Sequence, residues 1–210
     1  RVLAGARASV ERVNASGGQQ GRPRELVTRD DGGDPRRPNE WRDTVRIDTL
    51  LPRAARLHPD FPAIVDASRS VTHAELASQV ERLAGALRAC GVQAGSRVAV
   101  LSKNRWEHVA LLHAVARLDA VFVPLNWRLS LDELSWILSD ADPCVVVAEP
   151  PYTALLDPVR ADLPGVAHWL ALDEAPQGWD MLHRRVAAVA SPLPEPTKGS
   201  THAVVAQIYT

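Results

Sequence analysis

Apolar positions recur at helical spacing in some stretches of this chain and as unbroken runs in others, and the two kinds of stretch alternate. Ile47, Leu50, Leu51, Ala54 and Leu57 fall at i, i+3, i+4, i+7 and i+10, one face of a short helix. Pro52 requires that helix to start near Asp48, within a turn of the ring that cannot donate. Residues 63–65 and 70–71 read as a small hairpin. Thr72 and Glu75 form a T-x-x-E capping box, in which hydroxyl and carboxylate satisfy orphan amides at a helix start. Leu76, Val80, Leu83 and Leu87 follow on one helical face, and Gly91 suits a left-handed C-cap.

Further along, residues 97–101 read as a strand. Residues 105–118 read as a helix with Val109, Leu112 and Val115 inward, and 121–123 as a strand closed by Pro124. Ser130 and Glu133 make a second capping box ahead of Leu134, Ile137 and Leu138. Residues 144–148 are the continuous run expected of a strand buried on both faces. A helix near 152–156, a strand near 168–172, a helix carrying Trp179, Leu182, Val186 and Val189, and a last strand at 204–209 complete the series. The alternation predicts an α/β fold, a mainly parallel sheet with helices on both faces.

Composition divides the chain. Residues 1–40 hold 6 of the 12 glycines and 8 arginines but only 10 apolar residues, too few to offset the entropy of ordering. The expected organisation is a flexible leader over 1–43, an α/β unit over 44–190, a proline-rich linker over 191–202 and the strand from 203 to 210. The first residue is Arg1, the only methionine is Met181, and the final strand stops without a turn, so both ends are expected to be cuts. A net charge of −1 lacks the sequence-independent attraction that nucleic-acid binding usually needs. No apolar run approaches the roughly 18 residues of a membrane span, and a cytoplasmic location is the expectation. Cys90 and Cys144 share no C-x-x-C spacing and are read as free thiols of a reducing compartment, a disulfide being the alternative.

Ready-made chemical motifs are absent. No G-x-G-x-x-G follows a strand, Lys198-Gly199-Ser200 has the wrong order for a Walker lysine, and there is no G-x-S-x-G elbow. His108 and His113 stand about 140° apart round a helix axis and cannot easily share an ion. His108 with Glu107 is read as surface or satisfied core rather than as a metal pair. Asp140 and Asp142 before Pro143 are read as turn chemistry. Trp106, Trp127, Trp136, Trp169 and Trp179 are read as packing residues, although Arg105 and Arg128 flank two of them.

Taken together as text, residues 71–148 resemble the N-terminal subdomain of the adenylate-forming (AMP-binding) superfamily of acyl-CoA synthetases, amino-acid adenylation domains and luciferases. Val71-Thr72-His73-Ala74-Glu75-Leu76 resembles its (L/V)-T-Y-x-E-L, and Gly91-Val92-Gln93-Ala94-Gly95-Ser96-Arg97-Val98-Ala99-Val100 resembles its G-V-x-x-G-D-R-V-A-V. The helix after Glu107, the strand Val121-Phe122-Val123-Pro124-Leu125-Asn126 and the S-x-x-E-L helix at Ser130 follow in the family's order, and the likeness extends over about 47–210. Ala206-Gln207-Ile208-Tyr209-Thr210 resembles the strand that enters the family's phosphate-binding loop. His73 stands where the family has tyrosine, Ser96 where it has aspartate, and Asp119 where glycine is common. The acidic residue often found just before the loop strand is not evident at 201–203.

The resemblance implies an ATP-dependent carboxylic acid:CoA ligase that forms an acyl-adenylate and then an acyl-CoA thioester. It implies Mg2+ and coenzyme A beside ATP, and a fatty or aryl acid as substrate. Thr210, first threonine of the loop, is the one residue it places at the nucleotide, near the phosphates and their magnesium. Val123-Pro124-Leu125-Asn126-Trp127-Arg128-Leu129 is similar to the acyl-CoA synthetase version of its segment. An adenylation domain feeding a carrier protein and a non-catalytic α/β interaction module remain the alternatives. The 210 residues alone are expected to be inactive.

Overall fold

The computed structural model describes residues 46–66, 69–189 and 204–209. The leader over 1–43, the whole linker over 191–202 and Thr210 lie outside them.

The first element, α1 (Ile47–Leu57), keeps Pro52 as its sixth residue. Of the expected apolar face, Leu51 is buried while Leu50 and Leu57 are exposed. The contact face is rotated toward Leu51 and Asp48, whose buried carboxylate takes two bonds from Arg46, at 2.9 and 3.1 Å. Strands β1 (Pro62–Val65) and β2 (Ser70–Thr72) form the antiparallel hairpin. Thr72 then caps α2 (His73–Ala89) with Glu75 in a complete capping box. Leu76, Val80, Leu83 and Leu87 are all buried. Gly91, at φ +83°, ends the helix: its amide reaches the Arg88 carbonyl and that of Val92 reaches Leu87, a Schellman motif.

Five strands follow: β3 (Arg97–Leu101), β4 (Val121–Leu125), β5 (Val145–Ala148), β6 (His168–Ala171) and β7 (Asp180–Met181). They pair in parallel in the order β4-β3-β5-β6-β7. Between them run α3 (Trp106–Arg117), α4 (Leu131–Ala141), α5 (Tyr152–Leu156) with a 3-10 turn at Asp157–Asp162, and finally α6 (Leu182–Ala187). Side chains alternate across the sheet. Val98, Val100, Phe122, Val145, Val147 and Leu170 meet α1, α2, α3 and α6 on one face. Ala99, Leu101, Val123, Val146, Ala148 and Trp169 meet α4, α5 and the 3-10 turn on the other. All four residues of β5 are fully buried, each such side chain worth about 1.5–3 kcal/mol for the valines. The α/β architecture expected from the sequence is the one observed.

Four local readings are corrected. On α3 the buried residues are Ala110, Leu111, Ala114, Val115 and Ala116; of the expected face Val115 is buried and Leu112 packs against the core, while Val109 is exposed. Alanines let this helix approach closely, so its inner face is the one with the smaller side chains. Pro124 does not close β4 but lies within it, opposite Val100. Trp179 is not helical: Gly178, at φ +84°, turns the chain into β7, and α6 starts only at Leu182 and ends before Val189. Trp127 and Trp136 are not core residues, Trp136 being 64% exposed.

The departures from the family pattern have local answers. Ser96 accepts the Gln93 amide at 3.1 Å, the turn-closing role an aspartate would play. Asp119 adopts φ +52°, and its carboxylate is held by Arg46 at 2.6 Å.

Candidate functional site

Thr210 lies outside the described residues, but the segment that delivers it does not. Phe122 of β4 donates its amide to Val205 at 2.9 Å and accepts the Gln207 amide at 2.9 Å, a parallel bridge centred on Ala206. The expected strand at 204–209 is thus a single bridge. Amides two residues apart point to the same side of a strand, so the next outward donor of β4 would be residue 124. That residue is proline, and the ladder stops.

Beyond the bridge the segment is held by side chains. The Tyr209 hydroxyl donates to Asp140 Oδ2 at 2.5 Å, and the Gln207 side-chain amide donates to the same hydroxyl. Trp136 stands edge-to-face on the Tyr209 ring, with centroids 5.9 Å apart. Tyr209 closes one side of a groove of about 480 Å³ whose other walls are Leu129, just before α4, and Asp132, Glu133, Trp136 and Ile137 of its start and middle. Burial, and then the Asp140 bond, push the Tyr209 phenol up to about 12. Asp140 therefore does more than end a helix, and Trp136 packs on a tyrosine rather than in the core.

A second cluster lies at the carboxyl end of the sheet. The strand order reverses at β3 and β5, the place where open α/β sheets hold ligands. Here the loops after β3, β5 and β6 are joined by their own charges. Arg105 bonds Glu107 at 2.9 and 3.0 Å and Asp173 at 2.7 and 3.1 Å, and lies 3.7 Å from Glu149. Glu149 also accepts the Lys103 amide at 2.8 Å. Glu107, and then Asp173, raise the Arg105 guanidinium further above its ordinary value, and Arg105 holds the Asp173 carboxyl below the usual range. His108 Nδ1 meets the buried Ser102 hydroxyl at 3.0 Å, its ring edge-on to Phe122, and burial lowers its pKa. Glu107 is thus committed to Arg105 rather than to a metal beside His108. Among the described residues no three His, Cys, Asp or Glu side chains are grouped to hold an ion. Cys90 and Cys144 are free, and burial pushes both thiols up.

Sequence reasoning singled out Thr210 but missed Gln207 and Tyr209 as anchors, and Glu149 and Asp173 as partners of Arg105. The signal for the first was present, since a tyrosine immediately precedes the loop. The second depends on strand order, which the sequence does not carry.

Comparison with known proteins assigns this architecture. The family model described as AMP-binding enzyme matches residues 51–210. An indoleacetate–CoA ligase of Aromatoleum aromaticum is 45% identical over 135 residues, 64% of this chain and 26% of that protein. The long-chain-fatty-acid–CoA ligase FadD13 of Mycobacterium tuberculosis is 38% identical over 132 residues, 60% of this chain and 26% of that protein. The solved structure of a Mycobacterium tuberculosis fatty acyl CoA synthetase superposes with a TM-score of 0.71 at 31% identity, covering 82% of this chain and 33% of that one. The chain matches about a quarter of the length of these curated relatives. With three-quarters of its residues inside the family model and its sheet superposing on a solved relative, the chain belongs to the AMP-binding enzyme family.

Proposed function

We propose that the polypeptide containing these residues is an ATP-dependent carboxylic acid:CoA ligase working in the cytoplasm. In the first step a carboxylate oxygen attacks the α-phosphorus of ATP, and the bond to pyrophosphate breaks. In the second the CoA thiolate attacks the acyl carbon, and AMP leaves with the electron pair of the C–O bond. The observation that carries this reading is the match to the AMP-binding family running to residue 210, through the segment docked on β4. On it, residues 44–190 are the N-terminal subdomain, with a leader over 1–43 and a linker over 191–202. Thr210 opens the phosphate loop and places its hydroxyl near the nucleotide. Loops of this kind work by presenting several backbone amides together, so Thr210 alone binds nothing. Magnesium, when bound with the nucleotide, offsets charge repulsion at the phosphates and takes few protein ligands of its own.

Indoleacetate and long-chain fatty acids, the substrates named for the two relatives, set the classes to try first. Mass analysis of the full-length protein with ATP, CoA and a panel of fatty and aryl acids should yield AMP and an acyl-CoA. Formation of ADP, or acyl transfer only to a carrier protein, contradicts the ligase reading.

A further inference from the structure

We infer that Asp140, acting through Tyr209, is a positioning residue that fixes where the nucleotide loop begins. The inference rests on the ligase reading above and adds to it a device outside the loop.

The backbone supplies little to this segment. Residues 204–209 are joined to β4 by one bridge, and Pro124 denies it a second donor. Val204 and Ile208 turn their side chains to solvent, so apolar burial does not hold them either. A chain with one attachment at residue 206 can pivot about it. The Tyr209 side chain is a second tether, reaching α4, which is already fixed to the sheet by Leu134, Ile137 and Leu138. Its hydroxyl donates to a carboxylate at 2.5 Å, within the short range of charge-assisted bonds. Gln207 joins the two attachments, its backbone bonded to Phe122 and its side chain to Tyr209. Trp136 fixes the ring plane edge-on, although it is itself largely exposed.

The placement of Asp140 supports this role. It lies in the last turn of α4, where the helix dipole disfavours an anion and which carries no basic residue of its own; Arg97 bonds the Ala141 and Asp142 carbonyls of that end and pairs with Asp142, not with Asp140. Helix stability alone gives no reason for an acid there, whereas the Tyr209 hydroxyl does. Thr210 follows Tyr209 directly, so this bond sets the first residue of the loop. A displacement of about 1 Å in a positioned group costs on the order of a hundredfold in rate, which makes such a tether consequential.

The test uses the full-length protein and four variants, Tyr209→Phe, Asp140→Ala, the pair of these, and Asp140→Asn. Phenylalanine keeps the ring against Trp136, and removing an exposed acid from a helix end does not threaten folding. Acid-dependent ATP–pyrophosphate exchange should show KM for MgATP raised about tenfold in Tyr209→Phe and in Asp140→Ala, with KM for the acid unchanged. The double variant should be no worse than Tyr209→Phe, which already removes the bond to Asp140 together with that from Gln207. Asp140→Asn, which keeps an acceptor oxygen, should recover most of the loss. Independently of activity, the Gln207 amide should exchange several-fold faster in Asp140→Ala while the amides of β3 and β5 are unchanged. Unaltered KM for MgATP in both Tyr209→Phe and Asp140→Ala, multiplying effects in the pair, or an unchanged Gln207 amide overturns the inference. If wild type catalyses no exchange with any acid, the ligase reading fails, and the Gln207 amide still decides whether the tether exists.

Discussion

The loops after β3, β5 and β6 and the outer edge of β4 are both places where a parallel sheet meets the rest of its protein, and they are built in opposite ways. At the first, Arg105 gathers Glu107, Asp173 and Glu149, so three loops are locked by charges the domain supplies itself. At the second, one bridge and one side-chain bond hold the segment that leads to Thr210. The first region is satisfied internally. The second is sparsely held and depends on particular hydrogen bonds, and on the proposed ligase reading it is the segment that introduces the nucleotide loop. Ligand sites are therefore to be sought where the fold leaves its edges incompletely paired, and not only where strand order reverses.

The sharpest way to break this contrast is Arg105→Ala. It strips the partner from carboxylates that are partly shielded from water, and it should cost about 2 kcal/mol in denaturant unfolding, between the values for exposed and buried pairs. Because Arg105 holds the Asp173 carboxyl below its ordinary 3.8, that contribution is present above pH 3.8 and is lost as the pH falls through the depressed value. Wild type and variant should therefore converge in acid. A difference that does not shrink as the pH falls below 3.8 would mean that Arg105 acts by packing rather than by charge.

A smaller effect is expected from Pro124→Ala at the other region. The new amide points outward toward the Gln207 carbonyl and should extend the ladder by one bond. Exchange of the Gln207 amide should slow several-fold, while global stability moves by no more than about 0.5 kcal/mol, because the proline's own entropic advantage is given up. An unchanged amide would show that something other than the missing donor ends the bridge.

What was legible in the sequence was what is decided locally. Thr72 with Glu75 and Ser130 with Glu133 cap their helices as the spacing requires, since each box closes within one turn. The run at 145–148 is buried on both faces because β-branched residues have nowhere else to go in the centre of a parallel sheet. On α3 Val115 and Leu112 face the core as expected, and Val109 alone was misplaced, because close packing selected alanines over it. Trp179 was misplaced because a two-residue strand pairs only through its neighbour, Leu170 meeting Asp180. The segment at 204–209 reads as a strand by its own residues, yet its length is set by a proline 80 residues earlier. The Arg105 cluster needs the strand order, and no local pattern encodes that.

The central claim is that these residues form the scaffold of an acyl-adenylating enzyme and that the loop opened by Thr210 completes it. Acid-dependent exchange of labelled pyrophosphate into ATP, measured side by side for the full-length protein and for the 210-residue chain, tests it most directly. The account predicts exchange in the full-length protein and none in the 210 residues alone. Robust exchange by the 210-residue chain, or none by the full-length protein with any fatty or aryl acid, would contradict it.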